Sequence, residues 1–486
     1  MSRIRKDIAS LGGVWSDTMT WYANAVGAMR AKPISDRTSW TYLAAIHGFD
    51  QRGWAAQSII PSFPDLPSGN EQRLMFNQCQ HAGWFFLPWH RGYLHAFEAI
   101  LASWIESQGG PSDWALPYWN YLNAGNATAR DIPQEFLDPT YDGGKPNPLA
   151  TASRGPATSL GTKPWIPVDI TLNAQSETFY TSDPGGLGYG GPISGFAQQG
   201  NAYGANESDP HNLVHVMVGG GKPVAPQGWM FDPNFAALDP IFWVHHCNVD
   251  RLWAAWMDAP GHTQENSQPW LNGPFPRQFM MPNPAGGVDV FVPGETLPGQ
   301  PLEPMYDKLV HGTGKPPAPA SGGLGVRGTA VSKPPASRLI GTNDTDMTLG
   351  ADRVSSRLAI KAPARSPGLG VAAARRGGKR RVFLSVEGVK GEVPTAVLTV
   401  VLTPAGADPA AAPEEAKKTL VFFGLGNATS AEGPHGGSGL TQTVDITDIA
   451  ASLMDGDEIE AHLQRSEDSD VEVKVERLSV HVREED

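Results

Sequence analysis

A Pro-, Gly- and Ser-rich stretch divides the 486-residue chain into two parts with different apolar patterns. The stretch "GTGKPPAPASGGLG", residues 312–325, has the composition of a flexible linker because it contains almost no large apolar side chain. Before it, apolar residues recur three and four positions apart, whereas after it they alternate with polar residues. The first spacing is typical of helices and the second of strands, so the chain should form a helical part followed by a β part.

The first part is predicted to be a mainly α, four-helix-bundle domain with long loops over residues 1–308. Apolar spacing predicts its helices at residues 14–30, 38–48, 88–107 and 240–257. The third pattern is the clearest, because Pro88 suits a first helical turn and Leu94 and Phe97 begin one apolar face. Residues 109–208 are rich in Gly, Pro, Asn, Ser and Thr and should form loops draped over the bundle.

The second part is predicted to be an antiparallel β-sandwich over residues 336–486, joined by a flexible linker at 309–335. Its alternating runs are short and separated by polar, Gly-rich turns: "RVFLSVEGV", "TAVLTVVL", "KTLVFFGL" and "VEVKVERLSVHV". Such runs expose one face and bury the other, which is the pattern of antiparallel sheets that pack on a core.

Charge and composition argue against nucleic-acid binding, a membrane span, a secretory signal and a disulfide framework. The formal net charge of −13 disfavours nucleic acid, whose phosphates need clustered Lys and Arg. No apolar run approaches the roughly 18 to 20 residues of a membrane span. The first residues show no apolar segment of a secretory signal, so a cytoplasmic location is expected. With only two cysteines, the chain cannot contain a disulfide framework.

Histidines provide the clearest chemical signal. His47, His81 and His90 fall at or near predicted helices in the first part, and His211, His215 and the pair His245–His246 follow later. His211 and His215 are four residues apart, a spacing that places two imidazoles on one helical face. All-imidazole groups suit Cu, Zn or Ni, with copper bound most tightly. A zinc protease would need the sequence His-Glu-x-x-His, but the residue after His211 is Asn212. A further alternative is that the histidines bind a metal with a purely structural role.

The segments "FFLPWHRGYLHAFE", "DPHNLVHVMVGG" and "DPIFWVHHCNVDRLW" resemble the two copper signatures of tyrosinases, catechol oxidases and molluscan-type hemocyanins. The resemblance extends over about residues 3–308, and "LPYWNY" is similar to a further family segment, with Asn120 where Asp is usual. It implies a type 3 centre of two copper ions that binds dioxygen. It also implies the ligand sets: His47, His81 and His90 for one copper, and His211, His215 and His246 for the other.

The same resemblance suggests roles for residues around the ligands. His246 stands four positions before Asp250, as the family's third ligand to the second copper does. His245 would point about 100° away on a helix, so we expect His245 and Asp250 to support the ligands from behind. In fungal and molluscan members a Cys-x-His sequence marks a thioether bond, which implies a cross-link between Cys79 and His81.

The resemblance also leads us to expect a particular activity for this chain. Plant-type members place a Glu and an Asn where Glu207 and Asn212 stand, and there they hold a water that acts as base. The implied activity is copper-dependent oxidation of o-diphenols to o-quinones with dioxygen, and also hydroxylation of monophenols. An o-aminophenol oxidase would carry the same ligands, and a hemocyanin-like oxygen carrier is the alternative from another class. Some family members receive copper from a helper protein, which is a possible partner.

The C-terminal part resembles the covering domain of latent polyphenol oxidases. In those enzymes the domain places a side chain in the copper cleft until proteolysis or detergent displaces it. A tethered cover is present at roughly millimolar local concentration, so even weak docking keeps most sites closed. Phe422 and Phe423 are candidates for the blocking side chain, although a strand pattern also predicts that both are buried. The linker at 309–335 is the expected cleavage site, because exposed Pro/Gly/Ser segments are cut most readily.

Overall fold

The computed structural model describes residues 3–154, 170–220, 228–309, 335–343, 345–350, 352–360, 379–431, 437–453, 458–466 and 471–485. The predicted linker and its cleavage site at 309–335 lie almost entirely outside the described residues. Within them, no helix is long and apolar enough to cross a membrane.

Helices occupy all four segments in which apolar spacing predicts them. In chain order the helices are α1 Asp17–Arg30, α2 Trp40–His47, α3 Gln51–Ala56, α4 Gly69–Met75, α5 Phe86–Ser107, α6 Leu213–Gly219, α7 Pro240–Asp258, α8 Gln268–Leu271, α9 Leu425–Thr429 and α10 Thr447–Leu453. The helical core of the first part is therefore confirmed, while the exact bundle geometry stays a prediction.

Local capping explains where the helices of the first part begin. Helix α1 starts three residues later than predicted, because Trp15 has a positive φ of 55° and the Ser16 side chain accepts a hydrogen bond from the Met19 amide. Asp239 caps α7 in the same way by accepting from the Ile241 amide, and Pro240 occupies the first turn. The Asp239 cap therefore fixes the frame in which the histidines of α7 project.

Short strands tie the first part together. The strands are β1 Ile4–Arg5, β2 Thr140–Tyr141, β3 Lys145–Pro146, β4 Phe279–Pro282, β5 Val288–Phe291 and β6 Met305–Tyr306. β2 pairs with β3 and β4 pairs with β5 in two small antiparallel hairpins, while β1 and β6 join the two ends of this part. β1 pairs in parallel with β6, with Ile4 opposite Met305. Between α5 and residue 204, the described residues contain no α-helix, in agreement with the predicted long loops.

The second part is an antiparallel sheet, as predicted. Its strands are β7 Arg338–Thr342, β8 Met347–Leu349, β9 Val354–Ile360, β10 Lys379–Gly391, β11 Thr395–Pro404, β12 Lys417–Phe423, β13 Leu440–Asp445, β14 Glu458–Arg465, β15 Val473–Val475 and β16 Arg477–Glu485. They are hydrogen-bonded in the order β12-β11-β14-β9-β7-β16-β10-β15-β8, with β13 also paired to β10. The strands thus form one continuous ladder around an apolar core, and division into two facing sheets stays a prediction.

The two parts meet where β12 ends. Val421 and Phe423 are buried in the apolar core of the helical part, whereas the intervening Phe422 is buried in the core of the sheet. This alternation is the ordinary period of a strand, with successive side chains on opposite faces. Tyr203 of the helical part packs reciprocally in the core of the sheet. The end of β12 is therefore built into the helical part at the level of its histidines.

Candidate metal centre

The first histidine group consists of His47, Cys79, His81 and His90. One ligating atom of each lies within 4.8 Å of those of the others, and all four side chains are buried. His47 is the last residue of α2 and His90 lies in the first turns of α5. His81 comes from the intervening loop. The structure thus brings together all three histidines predicted for the first copper, with Cys79 among them.

The second group consists of His211, His215, His245 and His246, whose ligating nitrogens likewise lie within 4.8 Å of one another. His215 and the adjacent pair belong to α6 and α7. His211 lies in a wide helical turn at Glu207–Asn212 that precedes α6 and is interrupted by the extended backbone of Asp209. Asp209 precedes His211, and the backbone is helical at Asn212 and Leu213, so the spacing of four residues brings His211 and His215 together after the interruption.

The two groups adjoin each other to form one cluster. The rings of His90 and His246 are stacked with centroids 4.5 Å apart and planes 15° from parallel. The rings of His81 and His211 are 5.9 Å apart on the other side. Two metal ions held by these groups would be close enough to share one small ligand, which is the use to which two-metal sites are put.

Backbone carbonyls orient several of the imidazoles. Nδ1–H donates to a carbonyl in three cases: His47 to Pro233 at 2.9 Å, His90 to Phe86 at 2.8 Å and His215 to Met230 at 2.8 Å. Such bonds fix the tautomer that leaves Nε2 available as a metal ligand. Nε2 of His47 and Nε2 of His211 are buried without a hydrogen-bond partner among the described residues. Buried, unpaired imidazole nitrogens in two adjoining groups fit a pair of copper ions.

Burial also sets the protonation state of the cluster. Desolvation lowers the pKa of His47 to about 4 and, together with the neighbouring imidazoles, lowers the pKa of His90 and His211 well below the usual value. These rings are therefore neutral at neutral pH. Since only the neutral imidazole can bind a metal ion, the cluster is already in the binding-competent form.

His245 and His246, which are adjacent on α7, both place their rings among the other histidines of the second group. His246 Nε2 lies 3.3 Å from His215 Nε2, and the His245 ring stacks on His211 at 5.5 Å. His245 Nδ1 is hydrogen-bonded to the Tyr121 hydroxyl at 3.1 Å. Although a helix turns adjacent side chains about 100° apart, a ring nitrogen of each lies within 4.8 Å of the other ligating nitrogens of the group. The choice of His246 as ligand and His245 as a supporting residue stays a prediction, which depends on the spacing to Asp250.

Asp250 connects the two long helices behind the histidines. Its carboxylate accepts hydrogen bonds from Arg91 Nε at 2.6 Å, Tyr306 Oη at 2.5 Å and Arg5 Nη1 at 3.3 Å, and both its oxygens are used. Arg91 follows His90 on α5, so this buried ion pair fixes α5 against α7. Asp250 therefore positions His90 relative to His246. Sequence reasoning did not identify Arg5 or Arg91, which carry no ligand spacing.

Cys79 touches two of the histidines. Its Sγ lies 3.4 Å from His81 Nε2 and 3.3 Å from His90 Nε2. Burial raises the pKa of the Cys79 thiol well above its usual value. Cys247, the other cysteine, instead contacts the Leu116 carbonyl at 3.7 Å in the core, as expected for a buried apolar residue.

Glu207 and Asn212 are buried and hydrogen-bonded at or beside the histidine groups. Glu207 Oε1 accepts a hydrogen bond from the Ala82 amide at 2.8 Å, next to His81, and Oε2 is buried without a partner among the described residues. Burial raises the pKa of Glu207 well above its usual value. Asn212 Oδ1 accepts from His211 Nδ1 at 2.8 Å. Asn212 therefore orients a predicted ligand, and Glu207 keeps one oxygen free to accept a further hydrogen bond.

The side chain of Phe423 lies over the histidine cluster. Its ring centroid is 4.4 Å from that of His215, 5.4 Å from His81 and 5.8 Å from His211. Of the two candidates from the sequence, Phe422 points into the sheet and Phe423 contacts the cluster. Tyr203 and Gln199, which hold the Phe423 carbonyl, were missed, because the loop that carries them has no recognisable motif.

Comparison with known proteins identifies relatives of both parts. The family model described as the common central domain of tyrosinase matches residues 37–259, and a domain of unknown function, DUF7868, matches residues 336–483. The chain is 33% identical to tyrosinase HcTyr1 of Hahella sp. (strain CCB-MM4), over 96% of this chain and 97% of that protein. It is 29% identical to chloroplastic polyphenol oxidase of Malus domestica, over 52% of this chain and 41% of the apple protein's length.

Solved structures show the same architecture over the full chain. Latent apple tyrosinase superposes with a TM-score of 0.64 at 20% identity, over 99% of this chain and 97% of that one. Latent aurone synthase gives a TM-score of 0.61 at 19% identity, over 100% and 90%. At these identities the likeness shows the fold. The similarity to the Hahella protein extends along nearly the whole sequence, and with it the two histidine groups show that this chain belongs to the tyrosinase family of dicopper oxidoreductases.

Proposed function

We propose that the protein oxidises o-diphenols to o-quinones, also hydroxylates monophenols, and is latent until its C-terminal part is displaced. Two diphenols and one dioxygen would yield two quinones and two waters. The observation that carries the proposal is the pair of adjoining, buried, neutral imidazole groups. His47, His81 and His90 would hold one copper ion, and His211, His215 and His246 the other. Bound copper would supply the binding and reduction of dioxygen.

The side chains around the metal ions have separable tasks. The carbonyls bonded to Nδ1 of His47, His90 and His215 keep these rings directed at the centre. Phe86 and Phe242 pack against the histidines, with centroids 4.7 Å from His211 and 4.1 Å from His246, and exclude water from the far side. A substrate ring would enter where Phe423 now lies, because that side chain occupies the face of His215.

An assay with several substrates tests the proposal. Copper-loaded full-length protein should oxidise 4-methylcatechol in air, and the rate should rise after protease or detergent treatment. Turnover of tyramine would support monophenol hydroxylation, and o-aminophenol would identify the alternative oxidase. Reversible oxygen binding without consumption of 4-methylcatechol would favour the oxygen carrier and contradict the proposal.

Glu207 is proposed to accept the phenolic proton, directly or through a water. Free phenols have a pKa near 10 and must lose this proton to bind a metal, and positioned acid–base groups contribute about 100- to 10,000-fold. We expect Glu207→Gln to lower kcat/KM for tyramine by about 100-fold while copper content stays at two ions per chain. Glu135→Gln changes another buried carboxylate, which accepts from the Trp15 amide at 3.2 Å and belongs to neither histidine group, and should change neither quantity. Unchanged turnover of mono- and diphenols in Glu207→Gln would contradict this role.

Cys79 and His81 are proposed to form the thioether bond. Its formation breaks the thiol S–H bond and one ring C–H bond and makes a C–S bond; the two protons and two electrons released would convert dioxygen to hydrogen peroxide. The bond would fix the His81 ring, which comes from a loop and lacks the carbonyl bond that orients His47, His90 and His215. We expect metal-free, reduced protein to have a mass lower than that of its sequence by two hydrogen atoms, and Cys79→Ser to have its full calculated mass. The full mass in the copper-treated wild type would exclude the bond.

A further inference from the structure

The end of β12 presents both a ring and a carbonyl group to the helical part. While the Phe423 ring lies over His215, its backbone carbonyl accepts hydrogen bonds from Tyr203 Oη at 2.6 Å and Gln199 Nε2 at 3.1 Å. Two residues earlier, the Val421 carbonyl lies 3.4 Å from Asn212 Nδ2. The centre is thus covered by an aromatic residue of a peptide chain, which is held by its side chain and by its main chain.

The segment that carries these donors is bound both to the helical part and to the sheet, where the Thr441 amide donates to the Asn201 carbonyl at 2.7 Å. The segment that carries them runs beside His81 and is tied to it by backbone hydrogen bonds, from Gly200 N to His81 O at 2.6 Å and from Ala202 N to Ala82 O at 3.2 Å. The His81 amide in turn donates to the Gln198 carbonyl at 3.3 Å. Because the bonds to His81 and Ala82 lie within the helical part, they hold the backbone of this segment next to the proposed copper ligand when the sheet moves away.

The chemistry of the donors selects a neutral carbonyl. Tyr203 and Gln199 are uncharged, and in the covered site they are 3% and 2% exposed. Burial and the nearby Glu207 raise the pKa of Tyr203, so its hydroxyl stays protonated and can donate. An amide or ester carbonyl is satisfied by such donors, whereas a free carboxylate would lose far more hydration on burial. The arrangement therefore favours a ligand whose aromatic residue is followed by an amide.

Gly424, which follows Phe423, indicates how large a group can follow the aromatic residue of a ligand. Gly424 has a left-handed φ of +82°, and a Cβ there would lie 2.3 Å from Gln199 Oε1. A side chain at this position would displace the Gln199 amide, which binds the Phe423 carbonyl. A ligand that ends in a simple amide, or continues with glycine, avoids this contact.

We propose that the site takes peptide-bound aromatic residues, tyrosine or 3,4-dihydroxyphenylalanine, and that Tyr203 and Gln199 determine this specificity by binding the carbonyl of the reacting residue. The proposal rests on the proposed function and names its substrate class. Phe423 would then be a covalently attached, unreactive member of the same ligand class, since its ring has no hydroxyl group.

A ratio of rate constants tests the carbonyl contact in the full chain. kcat/KM is measured for the amide of N-acetyl-3,4-dihydroxyphenylalanine and for 4-ethylcatechol, which lacks the carbonyl. The fraction of uncovered enzyme cancels in the ratio, even where a substitution loosens the sheet. We expect Tyr203→Phe and Gln199→Leu each to lower the ratio by about 3- to 10-fold, mainly through KM. The inhibition constant of N-acetylphenylalaninamide, which cannot react, should rise by a similar factor.

Tyr141→Phe is the matched control, because it removes a phenol hydroxyl that bonds to Asn24 Oδ1 at 2.8 Å, away from the histidines. It should leave the ratio at the wild-type value. A wild-type ratio in both Tyr203→Phe and Gln199→Leu would overturn the inference, although both diphenols are still oxidised. If the wild type oxidised neither diphenol, the proposed function itself would fail, which is a different result.

Discussion

Replacing His90 with glutamine is expected to remove one of the two copper ions and to lower diphenol oxidation by more than about 100-fold. Substitutions that only support a metal ligand already cost about 10- to 100-fold, so loss of a ligand should cost more. His90 is also central to the cluster, because it contacts Cys79 at 3.3 Å and stacks on His246. Elemental analysis of reconstituted protein and the rate with 4-methylcatechol measure the two effects independently.

His95→Gln provides the control on the same helix. His95 lies five residues further along α5 and is exposed, outside both histidine groups. This variant should keep two copper ions per chain and the wild-type rate. Retention of both copper ions in His90→Gln would contradict the assignment of the first ligand set, whatever the rate.

Glu177→Gln is expected to activate the full-length protein by about 10- to 100-fold without proteolysis. Glu177 of the helical part accepts hydrogen bonds from Arg381 Nη1 at 2.8 Å and Nη2 at 2.5 Å, and from Arg483 Nη2 at 3.4 Å. Both arginines belong to the sheet, on β10 and β16. Breaking a buried ion pair costs about 3 to 5 kcal/mol, or more than two decades in an equilibrium. The expected activation is smaller than this full cost, because Asp445 lies 2.6 Å from Arg381 and continues to neutralise it in the variant.

The measured quantity is the rate with 4-methylcatechol before and after the C-terminal part is displaced by protease or detergent. In the wild type this treatment should activate strongly, and in Glu177→Gln it should add little. Arg380→Ala is the control, because Arg380 pairs at 3.0 Å with Glu484 within the sheet, where Glu484 is 75% exposed. Such a surface pair contributes little. An equally low initial rate and equally strong activation in Glu177→Gln would argue against this ion pair as the contact that holds the cover.

Sequence reasoning succeeded where the signal was local. The helices around His47, His90 and His246 follow from apolar spacing, and the start of the last follows from its Asp239 cap, which acts within a few residues. It gave no sign of the extended backbone at Asp209, which interrupts the helical turn just before His211. It could not choose the blocking residue, since Phe422 and Phe423 differ only in which face of β12 they occupy.

The sequence by itself determined the two-part architecture, the positions of the helices and the residues able to bind copper, because periodicity and ligand spacing are properties of short segments. Only the tertiary structure decided which distant groups meet. Asp250 with Arg91, Glu177 with Arg381 and Arg483, and the Phe423 carbonyl with Tyr203 and Gln199 are all contacts between segments far apart in the chain. Such contacts depend on how whole elements pack, and no local pattern encodes that packing.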